Sequence, residues 1–320
     1  GMGVVYRVWD TDLRRDLAMK VAADGDDPAR ERALARFLEE AQVTGQLDHP
    51  GIVPVHELGL DEQGRLYFAM KLVKGRTLRQ VLDELARGEG GWTPTRVLGL
   101  VLRVCEAMSY AHDKGVIHRD LKPSNVMVGR YGEVYVMDWG LAKVLGRPDA
   151  EEPATEAAAD ASATRVRSER HDLIADTPGS PIRTQDGDII GSPAYMPPEQ
   201  AVGRTADLGP ATDVYAVGAM LYHLMAGHMP YVPTGERVSY TEVVARLLAG
   251  PPAALADVAP SAPAELVAVC EKAMARRAID RYPDMAALSE DLSAFLEGRV
   301  VRAHEAGAWA EARKWVRRNK

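Results

Sequence analysis

The hydrophobic pattern of the chain changes once, at Gly75, and that change limits the fold more than any other feature. Before it, apolar runs are short and rich in β-branched and aromatic residues. Residues 4–9 and 17–22 read as strands around the charged turn "DTDLRRD". The stretches "GIVPVHELGL" and "RLYFAMKLV" read as two more strands joined by "DEQG". Between these pairs a helix is expected from Pro28, because Leu34, Phe37, Leu38 and Ala41 recur at i, i+3, i+4 and i+7. Asp27 is its expected N-cap and Pro28 its first helical residue. After Gly75 the spacing predicts long helices over residues 95–112, 213–226, 241–248, 264–275 and 284–296. A strand-rich part followed by a helix-rich part predicts an α+β protein of two lobes.

At 320 residues and 46% hydrophobic, the chain can bury a large core, and its length allows about two domains. The longest apolar run, "VYAVGAMLYHLMAG", is interrupted by His223 and is shorter than the ~18 residues of a membrane span, so a buried helix is expected. No signal peptide is visible, and Cys105 and Cys270 each lie in an apolar helical pattern that suggests neither disulfide nor zinc. The net charge of −7 argues against a nucleic-acid-binding surface over the whole molecule. Together these features predict a soluble, intracellular globular protein. Residues 146–188 carry few large apolar groups and read as a mobile insertion.

The chemistry concentrates in "HRDLKPSN" (118–125) and "DWG" (138–140), the latter following the apolar strand "EVYVM". Phosphoryl transfer needs a group to orient and deprotonate the attacking hydroxyl, hard oxygen ligands for a metal on the phosphates, and a cation near the transferred group. Asp120 suits the first task and Lys122 the last. Asn125 and Asp138 offer oxygens of the kind Mg²⁺ prefers. At the start of the chain, Gly1 and Gly3 flank one residue before a strand, a pattern that fits either a phosphate loop or a plain turn.

In this order and spacing the motifs resemble those of a protein kinase, of the eukaryotic-like Ser/Thr type found in bacteria, over residues 1 to about 298. The resemblance implies the two-lobed kinase fold, with an N-lobe over 1–73 and a C-lobe over 74–298. "LAMK" resembles the strand that carries the phosphate-binding lysine, here Lys20. "FLEEAQVTGQLDHP" resembles the helix whose glutamate pairs with it, here Glu40, ten residues before Pro50. "YFAMKLV" resembles the last N-lobe strand and hinge, which implies Met70 at the gate of the adenine pocket and backbone contacts from Lys71 and Val73. Val5, Ala18 and Met127 are implied to line that pocket. "GSPAYMPPEQ" resembles the end of an activation segment, so Ser192 is expected to bond Asp120 and Lys122. Glu199 is expected to pair with Arg281 of "IDRYPDM". "TDVYAVGAMLYHLMAG" resembles the central helix, with Asp213 anchoring the catalytic loop. "GMGVVYRV" then reads as the last part of the glycine-rich loop, with Gly3 its final glycine and the first strand expected to lie before residue 1.

The implied cofactors are ATP and Mg²⁺, with Mn²⁺ as the alternative. "DLKPSN" and Ser192 imply serine and threonine acceptors on proteins, the chain itself among them through self-association. Arg119 implies control by phosphorylation of the activation segment, and Thr184, seven residues before Gly191, is the expected site. Four residues depart from the family pattern: Trp139 in "DWG", Pro197 in "PPE", Lys71 in the hinge, and Thr44 one turn after Glu40. A pseudokinase scaffold with weak ATP binding is the rival reading. The tail 299–320 carries seven Arg or Lys against two Glu, with Trp309 and Trp315. It reads equally as a segment beside an anionic membrane face or as a basic helix packed on the domain. The expected location is cytoplasmic, with tethering to the inner membrane face as the variant.

Overall fold

The computed structural model describes residues 3–23, 29–145, 193–204 and 207–304. Gly1, Asp27, Pro28, Thr184, Ser192, the 146–188 insertion and the tail from residue 305 lie outside the described residues.

The first part is a four-stranded antiparallel sheet in the order β1 (Gly3–Asp10), β2 (Arg15–Ala22), β4 (Leu66–Lys71), β3 (Val55–Leu60), with helix α1 (Ala29–Gln46) against it. The β1–β2 turn is held by the Asp10 carboxylate, which accepts from the backbone N–H groups of Asp12 and Leu13. Register places Val5 opposite Lys20 and Lys20 opposite Phe68, and it places Ala18 opposite Met70. Opposed residues share a sheet face, so the roof of one cleft is written in two cross-strand rows. Phe68 packs against Phe37 of α1 with ring centroids 5.1 Å apart. Gly3 is pinned by close approach, since a Cβ there would lie 2.3 Å from the Val21 carbonyl oxygen.

The strand expected over 51–60 begins only at Val55. Pro54 has no N–H to give a ladder, and residues 51–54 bond outward instead. Ile52 bridges to Val136, and the Pro54 carbonyl accepts from Lys71 N–H at 3.1 Å.

The second part is helical around a small sheet, β5 (Gly75–Thr77), β7 (Val126–Gly129) and β8 (Val134–Val136), with β6 (Val116–Ile117) paired to β9 (Lys143–Val144). Helix α2 (Leu78–Ala86) opens on a reciprocal cap, in which Thr77 Oγ1 accepts from Gln80 N–H and Gln80 Oε1 accepts from Thr77 N–H. Helix α3 (Pro94–Asp113) starts on a Thr93 cap with proline at its first position. The short α4 (Pro198–Ala201) precedes α5 (Pro210–Ala226), which is buried almost all round and ends at Gly227 with φ 73°. Beyond it come α6 (Tyr240–Ala249), α7 (Leu255–Val258), α8 (Ala264–Ala273) and α9 (Met285–Leu296). Asp284 caps α9 and Gly298, at φ 67°, follows the C-cap Glu297 and ends that helix. The large core gathers around α3 and α5, and a smaller one lies between the first sheet and α1. This is the α+β, two-lobed architecture the pattern predicts, with Cys105 and Cys270 both buried.

Candidate active site

The site lies where the two lobes meet. Lys20 Nζ, from β2, stands 2.6 Å from Glu40 Oε1 and 2.7 Å from Oε2, and 4.0 Å from Asp138 Oδ1. Glu40 is 4% exposed. Burial raises its pKa; Lys20 opposes the rise and Asp138 adds to it. Gly140 makes the approach possible, because a Cβ there would lie 3.1 Å from Glu40 Oε2. Thr44, the polar residue one turn on, is buried but satisfied, its hydroxyl donating to the Glu40 carbonyl at 2.6 Å.

Below the cleft, the loop after β6 folds back on itself. Lys122 Nζ donates to Asp120 Oδ2 at 2.8 Å. Asn125 Nδ2 donates to the Asp120 carbonyl at 2.8 Å and to its Oδ2 at 3.1 Å, so the Asn125 amide oxygen is left as an acceptor. Asn125 O accepts from Met137 N–H at 2.8 Å, which ties this loop to the strand leading into Asp138. His118 joins the two from inside: Nδ1 accepts from Asp120 N–H and Nε2 donates to Met137 O at 3.0 Å. Trp139 packs against His118 with centroids 4.8 Å apart and ring planes tilted by 51°, and is 1% exposed.

Two non-glycine residues flank this loop with left-handed backbone, Arg119 at φ 68° and Asp138 at φ 63°. Such conformations persist where surroundings hold them. Asp213, at the start of α5, accepts from His118 N–H at 2.8 Å, Arg119 N–H at 3.0 Å and His112 Nε2 at 2.8 Å. Burial works to raise its pKa, yet the hydrogen bond from His112, the charges of His112 and His118 and the bond from His118 N–H together outweigh it and hold the carboxyl below its usual range. The Arg119 carbonyl accepts from Gln200 Nε2 at 2.7 Å, a contact the sequence motifs do not announce. Arg281 is buried and forks onto Glu199 at 2.7 and 2.8 Å, while also donating to the carbonyls of Ala275, Ala211 and Arg276.

Around the expected base pocket, Ala18 and Met70 are buried, Met127 and Val73 are half-buried, and Val5 is exposed on β1. Lys71 N–H donates to the Pro54 carbonyl at 3.1 Å. The structure therefore brings together Lys20, Glu40, Asp120, Lys122, Asn125 and Asp138, with Asp213, Glu199 and Arg281 beneath.

Two lobes closing on a lysine–glutamate pair, with an aspartate loop below and the Asp138 carboxylate between, define a domain of the protein kinase type. The protein kinase domain family model matches residues 1–166, just over half of the chain, and the chain belongs to that family. It is similar to the serine/threonine-protein kinase PknD of Protochlamydia amoebophila, 32% identical over 311 residues, 93% of this chain and 29% of that protein. It is also similar to the serine/threonine-protein kinase PknB of Mycolicibacterium smegmatis, 33% identical over 307 residues, 95% of this chain and 42% of that protein. A probable serine/threonine-protein kinase PknB of Corynebacterium glutamicum is 32% identical over 312 residues, covering 96% of this chain and 42% of its own length. The chain thus spans well under half the length of these bacterial relatives.

The family uses ATP and a divalent metal. Among the described residues no group of three or more His, Cys, Asp or Glu can hold a metal alone. Asn125, whose amide oxygen is left as an acceptor, and the Asp138 carboxylate would offer such an ion the hard oxygen donors it prefers.

Proposed function

We propose that the chain is the catalytic domain of a Ser/Thr protein kinase, which moves the γ-phosphoryl group of ATP to hydroxyls of proteins, itself included. The reading is carried by one observation: the Asp120–Lys122–Asn125 loop meets the Lys20–Glu40 pair and the Asp138 carboxylate in one cleft. In this reading Asp120 orients the acceptor hydroxyl and takes its proton. Lys122 neutralises charge on the transferred group, and Lys20, held by Glu40, grips the α and β phosphates. Asn125 and Asp138 would hold Mg²⁺, or Mn²⁺ in its place, which supplies charge neutralisation across the phosphates. Lys122, with Ser192, supports Ser/Thr over Tyr acceptors.

The domain is assigned to residues 1–298, with lobes 1–73 and 74–298. Thr184 is the proposed phosphoacceptor that Arg119 would recognise. Residues 299–304 pack on α9, with Val301 buried and Asp291 accepting from Arg302 and Ala303 N–H. Only the remainder of the basic tail 299–320 is therefore proposed to lie beside an anionic membrane face in the cytoplasm, with packing on the domain as the equal alternative; among the described residues no helix is long and apolar enough to cross a membrane. Salt-sensitive binding to anionic liposomes supports that placement, and its failure removes it.

The test of the reaction is metal-dependent transfer of labelled γ-phosphate to the chain and to a generic Ser/Thr protein, with Asp120→Asn beside it. Loss of general-base and positioning help lowers transfer by about 10²- to 10⁴-fold. Equal signal in both overturns the reading, and mapping the label tests Thr184.

A further inference from the structure

Behind the cleft, Lys71 and Tyr135 meet across the junction of the lobes. Lys71 closes β4 at the hinge, and its ammonium group donates to the Tyr135 hydroxyl while lying 4.6 Å from the ring centroid. Tyr135 is 7% exposed and sits in β8, three residues before Asp138. Its partner in register is Met127, so both side chains stand on the same face of the β7–β8 ladder.

Main-chain bonds converge on the same place. Lys71 N–H donates to Pro54 O at 3.1 Å, and Val136 N–H donates to Gly51 O at 2.8 Å. The segment leaving α1 is therefore held between the hinge and β8, and the Lys71–Tyr135 contact closes the ring with side chains. A lysine at this position has a flexible stem, and tying it down costs rotamer freedom. A charge-assisted hydrogen bond combined with a cation–π contact compensates.

We propose that Lys71 and Tyr135 are a positioning pair for the nucleotide base. They fix the hinge peptide at Lys71 relative to Met127 and to the strand that delivers Asp138. The proposal rests on the ATP-dependent reading of the site. It names neither residue as a group that touches the reacting atoms; both act through the backbone they hold.

The test measures nucleotide affinity with a fluorescent ATP analogue, and separately KM for ATP and KM for a protein acceptor. Tyr135→Leu removes ring and hydroxyl; Tyr135→Phe keeps the ring; Lys71→Met removes the charge; Lys71→Arg keeps it. Loss of one such bond corresponds to about a three- to tenfold weaker nucleotide Kd. That loss is expected for Tyr135→Leu and Lys71→Met, with a smaller one for Tyr135→Phe, a return towards wild type for Lys71→Arg, and an unchanged KM for the acceptor. Nucleotide affinity unaltered in Tyr135→Leu, or acceptor and ATP KM rising together, overturns the proposal. So does a wild-type chain that binds no nucleotide. A wild-type chain that binds nucleotide yet transfers no phosphate defeats the kinase reading alone, and the pair is then judged on Kd. If Tyr135→Leu does not fold, Tyr135→Phe decides: a normal Kd in that folded variant, together with a normal Kd in Lys71→Met, overturns it.

Discussion

Lys20 Nζ is shared between a buried carboxylate, Glu40 at 2.6 Å, and an open one, Asp138 at 4.0 Å, whose side chain is 54% exposed. Burial holds the Glu40 pKa above its ordinary value despite Lys20. The folded chain thus keeps this proton more tightly than the unfolded chain does. Stability contributed here falls as pH rises from the ordinary glutamate value through the raised one. Only ionised Glu40 can hold Lys20, so kcat/KM for ATP rises over that same window. Glu40→Gln is expected to flatten both trends and to lower kcat/KM by about 10- to 100-fold, the worth of a charged hydrogen bond. Urea midpoints and ATP kinetics across pH check it; an unchanged acid limb in the variant would sink the assignment.

Trp139 carries a second expectation. Its ring is buried against His118, and its Nε1 has no hydrogen-bond partner among the described residues. An orphaned buried N–H costs about 1–3 kcal/mol. Trp139→Phe removes that donor while giving up part of the ring, so stability should change by no more than about 1 kcal/mol and activity should survive. Thermal unfolding of the variant measures this. A loss well beyond that would mean the indole N–H has a buried water as partner.

What the sequence made legible follows periodicity and spacing. The long helices announce themselves because three or more turns repeat one apolar face, and the Lys20, Asp120 and Asp138 positions follow from motif order. Helix α2 is different. It is nine residues long, and its best signature is the Thr77–Gln80 cap rather than its period. The late start of β3 follows from Pro54, and the contacts that cause it, Ile52 to Val136 and Lys71 to Pro54, join residues that no local window relates. Gln200 and Tyr135 escaped for the same reason: each acts on a residue more than sixty positions away. Thr44 looks out of place in sequence, yet its hydroxyl is satisfied by its own helix.

Arg281 and Glu199 make an ion pair in the lower lobe whose guanidinium is buried. The guanidinium side chain has no exposed area, and its remaining N–H groups serve three carbonyls. Removing one partner strands the other charge, at a cost of about 3–5 kcal/mol. Arg281→Met should show that loss in urea denaturation, and Arg281→Lys should recover only part of it, since a point charge does not replace a fork. A loss below about 1 kcal/mol in Arg281→Met would show the pair to be dispensable.

His223 gives the last prediction. It lies on α5, 4% exposed, with Nδ1 2.7 Å from the hydroxyl of Tyr195 in the segment before α4. Burial, then the charges of Arg79 and His228, push its pKa down to about 3, against 6.5 for a free imidazole. The folded chain therefore refuses a proton that the unfolded chain accepts below pH 6.5. Stability falls as pH drops through the window from 6.5 to about 3. The slope approaches about 1.4 kcal/mol per pH unit, or about 2 kcal/mol between pH 7 and pH 5. Glu40 runs the other way over its own window, so the comparison must be between wild type and variant at each pH. His223→Gln keeps an acceptor for Tyr195 without a titrating ring, and its urea midpoint should fall less steeply on acidification. Parallel slopes in the two proteins would mean that His223 takes up its proton in the folded state, with the Tyr195 hydroxyl turning to become the acceptor.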